Sequence, residues 1–408
     1  SGSMKVLDTL PQAGDTRRLG TVVTRVQDVG HPLAPPLSVF LDKGVVPRSD
    51  RSDNHNALGA DLAKYQLVQP GDLVFNRLRT WQGGFGASRY SGIVSPAYIV
   101  ARPETADARY LDYLLHSAPY LAELVRISKW MPPSQFDVLW ADLRGVEVPW
   151  RPLEDQRRIA DFLDDRVARV EQIVVARREQ QTARQSLFES QKEAALYNAT
   201  ETPAVELRRL RCVVQTGPFG SQLHSDEYVD GGWPVVNPAC IADGRIRQVP
   251  GMSVDTAVRQ RLARHILVKD DVVFGRRGEM GRAGLVTQSE IGWVCGTGSL
   301  LVRLTDERMR PAFLMQLLST SRIRYYFQRQ SVGSTMDNLN TDILLSVPLT
   351  LPTLQQQDAI LGELDELAAR SDAALRNMEA SISLLTEYKQ ALITAAVTGE
   401  LAVPGVTA

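Results

Sequence analysis

The spacing of apolar residues changes twice along this chain, in the same order each time. Before Pro152, and again from about residue 201 to Pro352, short β-rich runs such as 73–75 and 93–100 are broken by Gly, Pro, Asn and Asp. That punctuation predicts a mixed sheet domain. A helical stretch follows in each region, over 108–127 and 311–328. Beyond Pro152 and Pro352 breakers become rare and the period lengthens. Ile360, Leu364, Leu367, Ser371, Ala374, Met378, Ile382, Leu385, Lys389 and Leu392 step by four and three, a heptad stripe sustained for about five repeats. The first-half stripe is weaker: Ile159, Leu163, Val167, Val170 and Val174, then Ala183 and Leu187. A helix of about 45 residues rises roughly 65–70 Å, more than one domain needs. The two helices cover each other most simply by running antiparallel, with one globular domain at each end. The alternative is that each stripe packs on its own globular domain.

The order recurs because the sequence does. Gly71-Asp72-Leu73-Val74-Phe75-Asn76-Arg77 aligns with Asp270-Asp271-Val272-Val273-Phe274-Gly275-Arg276, and Gly92-Ile93-Val94 with Gly292-Trp293-Val294. Tyr110-Leu111 and Leu114-Leu115 answer Phe313-Leu314 and Leu317-Leu318. Ser134, Asp137, Leu139 and Asp142 answer Ser334, Asp337, Leu339 and Asp342. Pro152, Gln156, Ile159, Leu163 and Asp164 answer Pro352, Gln357, Ile360, Leu364 and Asp365. A nearly constant offset kept through a whole half is the mark of a duplicated module. The fold class expected is therefore α+β: two mixed α/β domains joined by two long antiparallel helices in a coiled coil, with a pseudo-two-fold internal repeat. The expected boundaries are 4–151, 152–200, 201–351 and 352–401; Ser1-Gly2-Ser3 ahead of Met4 is set aside as an expression remnant.

Charge refines this division. The chain of 408 residues has a net charge of -1. Residues 1–151 carry +2, 152–200 carry -1, 201–351 carry +3 and 352–408 carry -5. Mildly basic heads are thus joined by acidic helices. Of the 18 basic residues in 201–351, 17 are arginine, whose planar fork suits guanine edges and phosphates. Cys212, Cys240 and Cys295 are too widely spaced for a knuckle and read as free buried thiols. The five histidines show no metal-site spacing. No apolar run reaches the roughly 18–20 residues of a membrane span, so a cytoplasmic protein is expected.

Few motifs point to catalysis. Asn237-Pro238-Ala239-Cys240 is superficially like the Asn-Pro-Pro-aromatic loop of amino-methyltransferases, but Cys240 cannot stack a flipped base and no glycine-rich cofactor loop precedes it. The segment 275–284 lacks the Gly-Lys-Ser/Thr ending of a phosphate loop and fits nucleic-acid contact better. The positive candidates occupy matching places. In the first half Asn76, Arg77, Arg79, Thr80, Trp81 and Gln82 follow the 73–75 strand; in the second, Arg276, Arg277 and Arg282 follow its counterpart. Asn and Gln suit adenine and Arg suits guanine. A second pair of polar loops, 129–135 and 331–338, offers Lys129, Ser134 and Gln135, and Ser334 and Thr335.

Several of these segments resemble the specificity subunits of Type I restriction-modification systems. Leu384-Leu385-Thr386-Glu387-Tyr388-Lys389-Gln390-Ala391-Leu392-Ile393-Thr394-Ala395-Ala396-Val397-Thr398-Gly399 resembles that family's closing helix, and Pro152, Gln156, Ile159, Leu163 and Asp164 its helix opening. Gly217-Pro218-Phe219-Gly220-Ser221 followed by Gly232-Trp233-Pro234-Val235-Val236-Asn237 resembles the start of a target recognition domain. Gly71-Asp72-Leu73-Val74-Phe75 with Gly92-Ile93-Val94-Ser95-Pro96-Ala97-Tyr98 resembles another branch of that domain type. Ser221, Gln222 and Asn237 thereby join the candidate DNA contacts. The first helix departs from the pattern in ending, at 194–200, without Val-Thr-Gly, and 352–357 carries one extra residue.

The resemblance implies two target recognition domains, each reading half of a split, asymmetric double-stranded DNA target, with the helices as a ruler for the gap. It implies a non-catalytic chain, with no cofactor of its own, docked on two modification subunits that carry S-adenosylmethionine and methylate adenine, and on restriction subunits that translocate and cut. Two other readings are a coiled-coil scaffold with protein-binding ends and a DNA reader belonging to a fused methyltransferase or nuclease.

Overall fold

A computed structural model of the chain describes residues 15–406 apart from 42, 51–57, 60, 132–134, 199–203, 220–221, 277–281 and 332–340. The chain divides into two compact units, 1–177 with 379–408, and 178–378. Among the described residues no helix is long and apolar enough to cross a membrane.

In the first unit β1 (Val23–Val26), β2 (Leu73–Asn76), β3 (Phe85–Ala87) and β4 (Tyr98–Pro103) form an antiparallel sheet in the order β1-β4-β2-β3. The central strand β2 is buried on both faces. Leu73 and Phe75 enter a core built on helices α1 (Ala108–His116) and α2 (Ala118–Ile127), whereas Val74 packs with Leu37, Val39, Val45 and Val100. Period 2 sends alternate side chains to opposite faces, so a strand apolar at every position needs cover on both.

Two sequence expectations are refined here. The run at 93–100 is two strands, Gly92–Val94 and β4, parted at Ser95-Pro96-Ala97. The single helix expected over 108–127 is broken at Ser117, whose hydroxyl donates to the Leu114 carbonyl at 2.6 Å and competes with helix continuation. A two-stranded ribbon follows, β5 (Lys129–Met131) against β6 (Gln135–Asp137), where the sequence reads as a loop. Then comes the long helix α3 (Leu153–Asn198).

The second unit repeats the plan. Strands β7 (Cys212–Thr216), β8 (Trp233–Val236), β9 (Val272–Gly275), β10 (Ala283–Leu285) and β11 (Ser299–Leu304) are followed by α4 (Pro311–Leu318), α5 (Ser321–Ser331) and the long helix α6 (Leu354–Thr398). The main sheet has the order β7-β11-β9-β10, the same as in the first unit, while β8 lies in a separate sheet. Val272 and Phe274 face the helices and Val273 faces the other way. The helix expected over 311–328 is again two, with the Thr320 hydroxyl bonded to the Leu317 carbonyl at 2.8 Å as Ser117 is to Leu114.

Glutamine fixes the start of each long helix. Gln156, 1% exposed, accepts from the Asp107 amide at 2.9 Å and donates to the Arg151 carbonyl at 2.8 Å. Gln357, fully buried, accepts from the Arg310 amide at 2.7 Å and donates to the carbonyls of Arg308 and Pro352, both at 2.8 Å. The extra residue in the second opening is Thr353. Its hydroxyl accepts from the Gln356 amide while the Gln356 carboxamide accepts from its own, a reciprocal helix cap.

Within each unit the long helices share a core. In the first, Ile159, Leu163 and Val167 of α3 join Leu392, Ile393, Ala396 and Val397 of α6; in the second, Leu196 joins Ile360 and Leu364. The helices run antiparallel: in the first unit Lys389 meets Glu171 at 3.3 Å, and nearer the start of α3 Arg158 reaches the Gly405 carbonyl beyond the end of α6. The stripe expected on α6 is the shielded one at every position from Ile360 to Leu392. On α3 the expectation is corrected after Val174. Ala183 and Leu187 are exposed, and the shielded line passes through Arg177, Gln181, Arg184, Phe188 and Lys192. Long polar stems cover that stretch, so apolar spacing misses it.

Candidate nucleic-acid interface

In each main sheet a buried carboxylate, paired with a part-exposed arginine, stands just before the strand that leads to the candidate loop. Asp72, 1% exposed, takes two hydrogen bonds from Arg102, at 2.7 Å from Nε and 2.9 Å from Nη2, and one from the Gln69 amide at 2.8 Å. Asp271 does the same with Arg303, at 2.8 and 2.7 Å, and with the Val268 amide at 2.9 Å. The turn before each carboxylate is left-handed, with φ of 92° at Gly71 and 70° at Asp270. Glycine adopts that conformation freely and aspartate is among the few others that tolerate it.

In the first unit the loop after β2 folds tightly. The Asn76 carboxamide oxygen accepts from the Leu78 amide at 3.2 Å, and the Asn76 carbonyl accepts from the buried Thr80 hydroxyl at 2.7 Å. Arg77 forms a forked ion pair with Asp137 of β6, with Nε at 2.9 Å from Oδ1. The Val138 amide donates to the Arg77 carbonyl at 3.1 Å. Arg77 ties the first candidate loop to the ribbon that holds the second. Asn76, Arg77 and Thr80, expected to face DNA, also tie the loop to the fold through these bonds. Trp81 donates to the Leu78 carbonyl at 3.1 Å and its ring meets Phe136 at 4.9 Å. Arg79 and Gln82 are exposed, and among the described residues their side chains make no hydrogen bond or ion pair. Lys129 is 60% exposed and pairs with Asp142 at 3.1 Å.

Beneath this loop lies His116. Its Nε2 is 3.2 Å from the Gly83 carbonyl, and its ring stacks on Phe85 at 4.0 Å. Burial disfavours the charged imidazole, but Asp112, with Oδ1 at 2.9 Å from Nδ1, outweighs it and raises the pKa above the usual value. The loop is thus held from below as well as from the side.

In the second unit Asn237 and the Arg276 backbone meet at the turn around Gly298, and Arg282 lies across from Gly275 at the end of β9. The Gly298 amide donates to the Asn237 carboxamide at 3.4 Å, and its carbonyl accepts from the Arg276 amide at 3.0 Å. Arg282, exposed, accepts at its carbonyl from the Gly275 amide at 2.9 Å. Asn237 is half-buried and its Nδ2 lies 3.4 Å from the Tyr228 hydroxyl, so it braces the turn. A side chain at Gly217 would meet the Gly296 carbonyl at 1.8 Å, which accounts for the glycine there. Gln222 bonds within its own turn, accepting from the Phe219 amide at 3.4 Å, and Arg261 reaches its carbonyl. Ser134, Ser221, Arg277, Ser334 and Thr335 lie outside the described residues, and of Gln135 only the strand backbone is described.

Sequence reasoning passed over Asp137, Phe136 and Trp130. Their only mark is three residues on either side of Pro-Pro-Ser, Lys129-Trp130-Met131 and Gln135-Phe136-Asp137, too few to set a period. The three cysteines are free, and burial pushes the Cys295 thiol up to about 12.

The chain is thus a duplicated α+β protein presenting two differently furnished polar surfaces, each on the same braced sheet. The family described as Type I restriction modification DNA specificity domain matches residues 220–382. The specificity subunit of the Type I restriction enzyme StySPI from Salmonella potsdam is 24% identical over 134 residues, 33% of this chain and 29% of that protein. The match thus spans less than a third of that relative's length. Among solved structures, a chain from a study of complex assembly and conformational transition of the type I R-M system superposes with a TM-score of 0.73 at 19% identity, covering 96% of this chain and 99% of the other. The HsdS subunit from Thermoanaerobacter tengcongensis gives 0.51 at 18% identity, over 96% and 98%. At such identities the structural likeness establishes the fold. The family match assigns residues 220–382 to the Type I restriction modification DNA specificity domain.

Proposed function

We propose that this chain is the DNA-reading subunit of a Type I restriction-modification complex. Each unit reads one half of a split, asymmetric target in double-stranded DNA. The carrying observation is the contrast between frame and furnishing. The two units share sheet order and the Asp–Arg clamp, yet the surfaces above carry Arg79, Gln82 and an aromatic ribbon in one case and Arg276 and Arg282 in the other. A rigid strand holding long polar side chains at its end is what base-edge readout needs. Different side chains on one frame give different half-sites.

The long helices, 46 and 45 residues, act in this reading as the spacer between half-sites. Their exposed faces dock two modification subunits, which carry S-adenosylmethionine, and restriction subunits that translocate and cut; the chain itself needs no cofactor. Methylation mapping of DNA from cells expressing the complex tests the reading. A bipartite motif with a fixed gap supports it. Absence of any motif, with the modification subunits present and soluble, overturns it in favour of a protein-binding scaffold. Methylation by the purified chain alone would instead make it a fused enzyme.

A further inference from the structure

The ribbon of the first unit carries a row of three rings. Trp130 of β5 stands directly opposite Phe136 of β6, with centroids 5.1 Å apart and planes at 68°. Phe136 meets Trp81 of the loop after β2 at 4.9 Å. The row is anchored at its inner end, where the Trp81 indole donates to Leu78 and Arg77 clamps Asp137. Its outer end is open: Trp130 is 53% exposed and belongs to no core cluster. Arg79 and Gln82 are exposed on the loop that carries Trp81. A narrow two-stranded ribbon fits the major groove, and an exposed flat ring stiffened from behind suits a base face better than a base edge. Long polar arms beside it reach edges and phosphates.

We infer that Trp130 is a base-stacking residue: on bound duplex DNA the β5–β6 ribbon sets its indole against a partly unstacked base step in the half-site read by the first unit. The inference rests on the DNA-reading function proposed above. Stacking is blind to hydrogen-bond edges but sensitive to how easily a step opens, so Trp130 favours flexible pyrimidine–purine steps. The matching segments of the second unit, 276–284 and 328–340, hold no aromatic residue, and its exposed Phe219, Trp233 and Tyr325 lie on other segments. Stacking from the ribbon is therefore confined to one half-site.

The test uses the chain assembled with its modification subunits and duplexes carrying the mapped target, with 5-iododeoxyuridine placed in turn through both halves. On irradiation a stacked ring crosslinks, and mass spectrometry of the joined peptide names it. The expected result is a Trp130 crosslink from one position, in one half only. Trp130→Ala should bind that duplex roughly ten-fold more weakly or worse, with the salt dependence of binding unchanged, and Trp130→Phe should recover part of the loss. Crosslinks that avoid Trp130, or Trp130→Ala binding as wild type does, overturn the inference and leave DNA reading intact. Failure of the wild-type complex to select any duplex overturns the reading itself. Should Trp130→Ala melt early, the wild-type crosslink still decides.

Discussion

Asp271 and Arg303 meet through two parallel hydrogen bonds, 2.8 and 2.7 Å long, on a carboxylate that is 1% exposed. The pair joins the turn before β9 to β11 and so fixes the register from which the second candidate loop departs. Removing one partner from a buried pair leaves an uncompensated charge, which costs about 3–5 kcal/mol. Arg303→Met is expected to destabilise the chain by that amount in urea unfolding, since only the Val268 amide remains on the carboxylate. Arg303→Met combined with Asp271→Asn should cost less than Arg303→Met alone, because no charge is then stranded. A double variant worse than either single one would contradict a paired role.

Gln357 makes three hydrogen bonds to backbone groups from a fully buried site, so Gln357→Ala strands one amide and two carbonyls at the start of α6. At about 1–3 kcal/mol per stranded group, softened by relaxation, a loss of roughly 2–4 kcal/mol is expected. Gln357→Glu should do at least as much damage, because a carboxylate there cannot donate to the Arg308 and Pro352 carbonyls. Hydrogen exchange would show faster opening of the first turn of α6 in both variants.

Arg77 and Arg79 are two positions apart and are expected to fail differently. Arg77→Ala breaks the tie to Asp137, lowering stability by about 1–3 kcal/mol and loosening the ribbon, so its half-site is read less sharply. Arg79→Ala removes an exposed side chain and should leave stability within about 0.5 kcal/mol. It should nonetheless weaken binding to the same half-site by about ten-fold, within the range of one good base contact. Thermal melting set beside half-site competition separates the two. Loss of binding to both half-sites from Arg79→Ala would count against separate reading heads.

That contrast shows what the sequence could and could not disclose. Strands β2 and β9 and the α6 stripe were legible because burial imposes a period on consecutive residues. The Asp72 and Asp271 positions stood out in the repeat, yet their partners Arg102 and Arg303 lie about thirty residues on, across a register that only the folded sheet defines. Arg77 and Thr80 read as DNA contacts because each is a polar residue after a buried strand. Their partners, Asp137 and the Asn76 carbonyl, come from a ribbon of three-residue strands and a tight turn, both too short to show a period. The α3 line failed past Val174 for the converse reason: shielding there falls on polar side chains.

His265 gives the second unit an acid limit. It is 2% exposed, Gln215 lies 3.1 Å from Nδ1, and Arg264 donates to Nε2 at 3.2 Å. Burial first, and the Arg264 charge second, pull its pKa down to about 4. The unfolded chain takes up this proton near pH 6.5, whereas the folded chain resists until about 4. The contribution is therefore fully present above about 6.5 and is lost as pH falls from there towards 4, by roughly 1–3 kcal/mol. Carboxylates add their own acid loss, so the readout is the difference between wild type and His265→Gln. The variant should show a flatter fall in melting temperature across that window, and parallel curves would remove His265 as the cause.

Deleting seven residues from the middle of both long helices tests the spacer directly. Seven residues are two turns of helix and about 10 Å, close to three base pairs of duplex. The removal keeps the shielded stripes nearly in phase, with a rotation of only about 20° per heptad. Residues 175–181 of α3 and 372–378 of α6 avoid the glutamine-fixed starts and the packed ends. Methylation mapping of cells expressing the shortened chain should return both half-sites unchanged with a gap about three base pairs shorter. A deletion in α3 alone should abolish specific methylation, because antiparallel helices of unequal length lose their pairing. An unchanged gap would mean that the helices do not measure the distance. A changed half-site would mean that base readout and spacing are not carried by separate parts of the chain.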